Sequence, residues 1–296
     1  MQFVARPTNR YQRFLDRLPV LGDVLRRPLG VLGFLIVLGF VIMVLFAPLI
    51  APYHYAEQDI PNMLQGPSSQ YLLGTDHLGR DLLSRIIYGA RIALVVAVPA
   101  VALALVGGML LGLTAGYLGG VVDDITLVIL DSLQAFPAVI LALAILALLG
   151  SSMVNVIIVI GIAWFPGYAR ITRAQVLSTK QNPYIEVEHS LGAKQSRILF
   201  FHILPNVLAP LLILAAMDLP VVITFEAGLS FLGLGVRPPT PSWGVILSDG
   251  FNFIRQSPWG ITWAGLTLIF VTLGFTLFGE TLRDVLDPRL SGTRGA

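Results

Sequence analysis

The sequence predicts an all-α polytopic membrane protein with six transmembrane helices, and three observations predict it. Of its 296 residues, 55% are hydrophobic and only 12% are charged, against about 25% charged in soluble domains. A soluble globule of this size has too little interior to hide so much apolar surface. The chain also holds six stretches of the ~20 apolar residues that a helical span needs. Finally, its basic residues gather in alternate connecting segments. The same arithmetic excludes other classes. With no cysteine, neither a disulfide framework nor a thiolate metal site exists. A net charge of +2 leaves no electrostatic footprint for nucleic acid.

The elements follow in order. Residues 1–28 are polar and Arg-rich, an N-terminal segment rather than a signal peptide, which has a short basic region and a short apolar core. The first span covers 29–49. Residues 50–91 form an outer segment. The five-helix core, 92–280, begins with the second span, 92–116. That span carries Gly108, Gly112 and Gly116 at a spacing of four, a small face that allows close helix packing. The third span, 124–149, meets the fourth, 153–172, across the tight turn Gly150-Ser151-Ser152. An inner loop, 173–202, leads to the fifth span, 203–226. The outer loop 230–258 is rich in Gly and Pro. The sixth span, 259–280, and a tail, 281–296, end the chain.

Orientation rests on the placement of Lys and Arg. Arg6, Arg10, Arg13, Arg17, Arg26 and Arg27 lie in the head. Arg170, Arg173, Lys180, Lys194 and Arg197 lie between spans four and five, and Arg283, Arg289 and Arg294 in the tail. That side carries fourteen of the nineteen basic residues and reads as cytoplasm, with both termini on it. Arg80, Arg85, Arg91, Arg237 and Arg255 fall outside, the first three flanking a stretch suited to the outer interface.

Proline punctuates the spans at Pro137, Pro166, Pro205, Pro210 and Pro220, and each removes a backbone donor. Freed carbonyls in lipid need partners, so such breaks face protein or a water-filled cavity. The acids Asp131, Asp218 and Glu226 would each cost ~2.5–3.5 kcal/mol facing lipid. With Arg170 counted in the inner loop, no basic residue inside a span is left to pair with them. Two readings stay open for these acids: a translocation pathway or proton relay, and an interhelical hydrogen bond or interfacial position.

The inner loop contains a short helix, a Gly and a second short helix. Asn182 before Pro183 reads as a helix start, and Glu186 and Glu188 sit near its positive end. Gly192 interrupts the run, and a second short helix through Arg197 and Phe201 leads to a break at Pro205; the apolar positions Ile185, Leu191, Ile198, Leu199 and Phe201 suit a helix lying on the membrane or against a partner. The chain has no P-loop, no HExxH zinc pair and no Gly-x-Ser-x-Gly, so we expect no catalytic residue, no metal site and no ATP hydrolysis in this chain.

These residues carry a resemblance. Glu186-Val187-Glu188, Gly192 and His202-Ile203-Leu204-Pro205 resemble the EAA loop of binding-protein-dependent ABC transporter permeases. Gly74-Thr75-Asp76, Gly79-Arg80-Asp81, Ser84-Arg85 and Gly89-Ala90-Arg91 are similar to motifs of the dipeptide/oligopeptide/nickel group. So are Ala135-Phe136-Pro137, the run from Leu229 to Gly235, Pro238-Pro239, Pro241-Ser242-Trp243-Gly244 and Leu286-Asp287-Pro288-Arg289-Leu290. Together they resemble the C-type permease of the pair.

The resemblance implies a type I ABC importer permease fold and a peptide or related small solute moved by alternating access. It implies a second, homologous permease subunit in a heterodimer, two cytoplasmic ATPase subunits that hold ATP and Mg2+, and a periplasmic or lipid-anchored solute-binding protein. The location implied is the bacterial inner membrane. Glu186, Val187, Glu188, Leu191, Gly192 and Ala193 would form the ATPase-coupling surface. Asp131, Phe136 and Pro137 would line the pathway. Asp76, Arg80, Asp81, Pro239 and Trp243 would face the binding protein. The triplet is Glu-Val-Glu rather than Glu-Ala-Ala, which alters the groove contact. A proton-coupled secondary transporter working through Asp131 without an ATPase is the alternative.

Overall fold

Helices α1 (Pro19–Leu25) and α2 (Pro28–Leu45) begin the computed structural model, which describes residues 19–286. The expectations for Arg6, Arg10, Arg13, Arg17, Arg289, Arg294 and most of the Leu286–Leu290 motif lie outside the described residues. Beyond a single helical turn, Ala47–Ile50, an irregular outer segment leads to α3 (Leu82–Leu118). Then come α4 (Gly120–Gln134), α5 (Ala138–Leu149), α6 (Met153–Lys180) and the short α7 (Pro183–Ser190). The described residues close with α8 (Leu204–Phe231), α9 (Trp243–Asn252) and α10 (Trp259–Leu286). Among the described residues the only β pairing is an isolated bridge, Thr75 to Asp81.

Among the described residues five helices are long and apolar enough to cross a membrane, and the pair α4 and α5, bent by 86°, makes up to six when it is taken as one span. Their outward faces carry Leu35, Val106, Leu148, Val154 and Ile269, all exposed, as helices solvated by lipid or by other subunits require. The central contact is α3 on α6, and the glycine stripe makes it possible. A Cβ on Gly108 would collide with Tyr168, one on Gly112 with Ala169 and Thr172, and one on Gly116 with Val176. Close backbone approach of this kind replaces the hydrophobic drive that lipid removes. Lys180 finishes the contact by donating to the Tyr117 carbonyl at 2.9 Å, where a cation suits a helix C-terminus.

The second span starts earlier than the sequence suggests. Helix α3 takes in residues 82–91, and Arg80 and Arg85 are 5% and 1% exposed rather than laid along the interface. Asp81 caps the helix, accepting from the Ser84 amide at 2.7 Å and the Ser84 hydroxyl at 2.6 Å. Carboxylates neutralise the two arginines, which makes their burial tolerable.

The prolines also differ from expectation. Only Pro137 falls at a break. Pro166, Pro210 and Pro220 lie inside continuous helices, and Pro205 sits at the start of α8. A helical turn at Gln195–Arg197 and a π-turn, Ile198–Ile203, run straight into α8. A wider turn eases the clash and the lost hydrogen bond that proline imposes on the turn before it.

Candidate functional site

The inner loop is an exposed hairpin hung from two long helices. Asn182 donates back to the Thr179 carbonyl at 3.1 Å, and Ile185 to Asn182 at 2.9 Å, so α7 starts at Pro183. Ile185 is buried and anchors α7 against the bundle, while Glu186, Val187 and Leu191 point outward. Glu188 is half-buried, 3.5 Å from the His202 imidazole. Gly192 ends the helix with φ +76°, and the Ala193 amide donates to the Glu188 carbonyl at 3.0 Å, a glycine-terminated helix end. Beyond it opens a groove of about 780 Å³ lined by Gly192, Ala193, Lys194, Arg197 and Phe201, with Phe200 beside it. Of the six proposed coupling residues, Glu186, Val187, Leu191 and Gly192 are exposed, and Glu188 and Ala193 are half-buried beside them. Phe201, one of the apolar positions the sequence marks for a partner or the membrane, is 75% exposed, and Phe200 beside it, 57% exposed, was missed. Phe200 lies in an apolar run with no signal separating it from a span.

The second candidate is the break between α4 and α5. Ala135, Phe136 and Pro137 are all exposed there, and Asp131 lies one turn before them. Asp131 does have a partner: the Arg170 guanidinium of α6 donates to it. Below it, Arg173 grips Asp123 with two hydrogen bonds, the longer at 2.6 Å. The expectation that no basic residue pairs with the in-span acids is therefore corrected. Helix α6 stays regular through Lys180, which carries Arg170 and Arg173 alongside α4. Their spacing of three on α6 was the readable signal. Asp218 bears out the interhelical hydrogen bond, accepting from Tyr168 of α6 at 2.7 Å, whereas the buried Glu226 accepts from Ser230 of its own helix at 2.6 Å. Next to the break, a largely apolar cavity of about 650 Å³ lies between α5, α8 and α10, lined by Val139, Phe225, Thr224 and Thr272 among others.

The outer motifs fold into a buried knot. Asp76 accepts from the Leu78 amide at 2.8 Å, the Arg80 amide at 3.0 Å, the Arg80 Nε at 2.6 Å, and Arg85 Nη1. Asp249 of α9 receives Arg85 at 3.2 Å and Arg80 at 3.4 Å. Burial works to raise the Asp76 carboxyl, but the two guanidinium groups and the amide donors outweigh it and hold it below the usual carboxylate range. His77 completes a trio with Asp76 and Asp249 whose ligand atoms lie within 4.8 Å of one another. Arg80 and Arg85 already occupy both carboxylates, so the trio is an ion-pair knot. Nearby, Asp59 holds the Tyr71 hydroxyl at 2.7 Å, and that hydrogen bond pushes the phenol up to about 12.

Trp243 donates from its indole to the Ile86 carbonyl at 3.0 Å, packs on Gly89 and is 1% exposed. Asp76, Arg80, Asp81 and Trp243 are therefore corrected as outward-facing residues. They hold the outer lobe together, and of the five only Pro239 is exposed. Asp249, 164 residues from Arg85, is the knot member that sequence spacing could not reveal.

Comparison with known proteins accords with these features. Residues 108–292 match the family described as binding-protein-dependent transport system inner membrane component. Residues 23–67 match the N-terminal TM domain of oligopeptide transport permease C. The chain is 42% identical to a dipeptide transport system permease protein of Alkalihalophilus pseudofirmus, over 90% of this chain and 87% of that one. It is 37% identical to an oligopeptide transport system permease protein of Bacillus subtilis, over 88% and 86%. It is 38% identical to a nickel transport system permease protein of Escherichia coli K12, over 81% and 86%.

Proposed function

This chain belongs to the binding-protein-dependent transport system inner membrane components, the permease subunits of ATP-driven importers, and we propose that it is half of a heterodimeric pore for di- or oligopeptides. Its relatives named for dipeptide, di/tripeptide and oligopeptide transport support the peptide reading. The membrane is the bacterial inner membrane, with both termini in the cytoplasm, in keeping with the basic residues of the inner loop. Two ATPase subunits bind ATP and Mg2+ on that side. A periplasmic or lipid-anchored binding protein delivers the solute on the other.

The observation that carries the mechanism is the largely exposed strip from Glu186 to Ala193, hung directly from α6. Helix α7 docks into a groove on one ATPase subunit, with Glu186, Val187 and Leu191 as its contact face. ATP-driven closure of the ATPases pulls α7. Because α6 is packed along α3 by the glycine stripe, the two long helices move as one, while α4 is held to α6 by two ion pairs. The bent third span changes its angle and the path opens alternately to each side. Differential contacts in the two states supply the bias. The proton-coupled alternative is not favoured by the family, and Asp131 is engaged by Arg170.

In reconstituted vesicles, Glu186→Lys and Gly192→Asp should each abolish ATP-driven peptide uptake while the protein stays inserted and co-purifies with the second permease. Uptake surviving both changes refutes the coupling assignment.

A further inference from the structure

Arg91 is the last charged residue before an uncharged run that lasts to Val122, so it marks the outer edge of the apolar part of α3. It differs from the two arginines before it. Arg80 and Arg85 are buried against Asp76, whereas Arg91 is exposed and makes no hydrogen bond or ion pair among the described residues. It lines a pocket of about 270 Å³ with Tyr55, Tyr88, Ile92, Val95 and Thr240. The Tyr55 and Tyr88 rings lie 4.9 Å apart, and His54 packs on Tyr55 at 4.4 Å, so the outer segment sets an aromatic wall against the start of the span. Among the described residues neither of these two tyrosine hydroxyls has a hydrogen-bond partner. From the pocket, Val95, Val98, Ala102 and Val106 recur at spacings of three and four and are all exposed, one apolar strip running along α3. The strip has none of the glycines by which α3 receives α6. Its branched side chains suit acyl chains, whereas a close helix neighbour calls for small residues.

We propose that this pocket holds the headgroup of an anionic membrane phospholipid, its phosphodiester on Arg91 and an acyl chain along the strip. A guanidinium at the edge of a bilayer core has the lipid phosphates as its nearest anions, and its planar fork matches two phosphate oxygens. The tyrosine hydroxyls add two donors, and their rings occupy the headgroup level that amphipathic aromatics prefer. The pocket lining carries one positive charge and no negative one, so a lipid with one net negative charge leaves the site neutral. A zwitterionic lipid offers the same phosphate but sets a second positive charge beside Arg91, and the site therefore discriminates between them. Tyr55 belongs to the outer segment, Tyr88 to α3, and Thr240 to the loop before α9. One bound headgroup thus bridges three separate pieces of the outer lobe.

The chain has no cysteine, so Val98→Cys gives it a single thiol on the strip, one turn beyond the pocket. A bimane on this thiol, in the complete transporter with its other subunits made cysteine-free, reports which lipid lies beside it in vesicles. Brominated phosphatidylglycerol should quench it with an apparent affinity about fivefold above that of brominated phosphatidylcholine. Arg91→Gln should bring the two lipids level. Arg255→Gln, which removes an equal charge from another exposed outer position, should keep the preference. Soluble glycerol 3-phosphate should not reduce it, because it lacks the chain that the strip holds. Absence of quenching would mean that a protein subunit covers the strip, and it overturns the proposal. So do equal quenching by both lipids, a preference that survives Arg91→Gln, and one lost to the same degree in Arg255→Gln. Competition by glycerol 3-phosphate would make the pocket a site for free phosphate and sink the lipid assignment.

Discussion

The outer lobe and the inner half of the bundle use the same chemistry, aspartate on arginine, to opposite ends. Outside, Asp76, Arg80, Arg85 and Asp249 share donors and acceptors within a packed interior, and Asp81, Ser84 and Trp243 brace them. Inside, Asp123–Arg173 and Asp131–Arg170 stand singly between helices, the first part-buried and the second with much of its surface open. A buried network fixes one arrangement, because each rearrangement strands a charge. An open pair holds two elements together weakly enough to let them part. The lobe that has to keep its shape is welded, and the half that has to move is latched.

The largest expected effect breaks the weld. Arg85→Ala leaves the buried Asp76 and the part-buried Asp249 to share Arg80 alone, a loss of about 3 kcal/mol. Thermal unfolding in detergent should show a markedly lower midpoint, and membrane levels should fall. An unchanged midpoint would mean the outer lobe is not held by its charges. A smaller effect belongs to the open latch: Asp131→Asn should cost at most about 1 kcal/mol in the same assay. A loss as large as that of Arg85→Ala would erase the contrast. The smallest concerns pH. Because the Asp76 carboxyl is held low, its stabilisation is complete above the unfolded value of about 3.9 and disappears as pH falls through the still lower folded value. The midpoint should therefore not shift through Asp76 between neutrality and about pH 5. A steady decline over that range would show the knot does not hold its carboxylate as described.

The sequence made some of this legible because the cause was local. Apolar run length set the spans. Asn182-Pro183 set the start of α7 and Gly192 its end, and a spacing of four set the glycine stripe that receives Tyr168 and Thr172. Where the cause lay far along the chain, reading failed. Arg85 read as an interfacial charge because its second carboxylate, Asp249, comes from α9. Pro137 and Pro166 look alike in sequence. Pro166 is buried within the bundle and its helix continues, whereas Pro137 has exposed neighbours and the chain turns there. The short helix and glycine of the inner loop were legible, and Phe201 with them, but Phe200 was hidden, since an exposed aromatic in a π-turn and a lipid-facing one have the same letters.

The bend in the third crossing has a geometric consequence. Helix α4 has fifteen residues and α5 has twelve, so the two arms measure about 22 and 18 Å. Neither alone matches a hydrocarbon core of about 30 Å. Joined at 86°, they reach from end to end about 30 Å. This crossing's fit to the bilayer is thus set by an elbow, while the straight crossings are fixed by residue count. Flexing the elbow changes the thickness it matches without breaking a helical hydrogen bond, which makes it the adjustable strut among rigid posts.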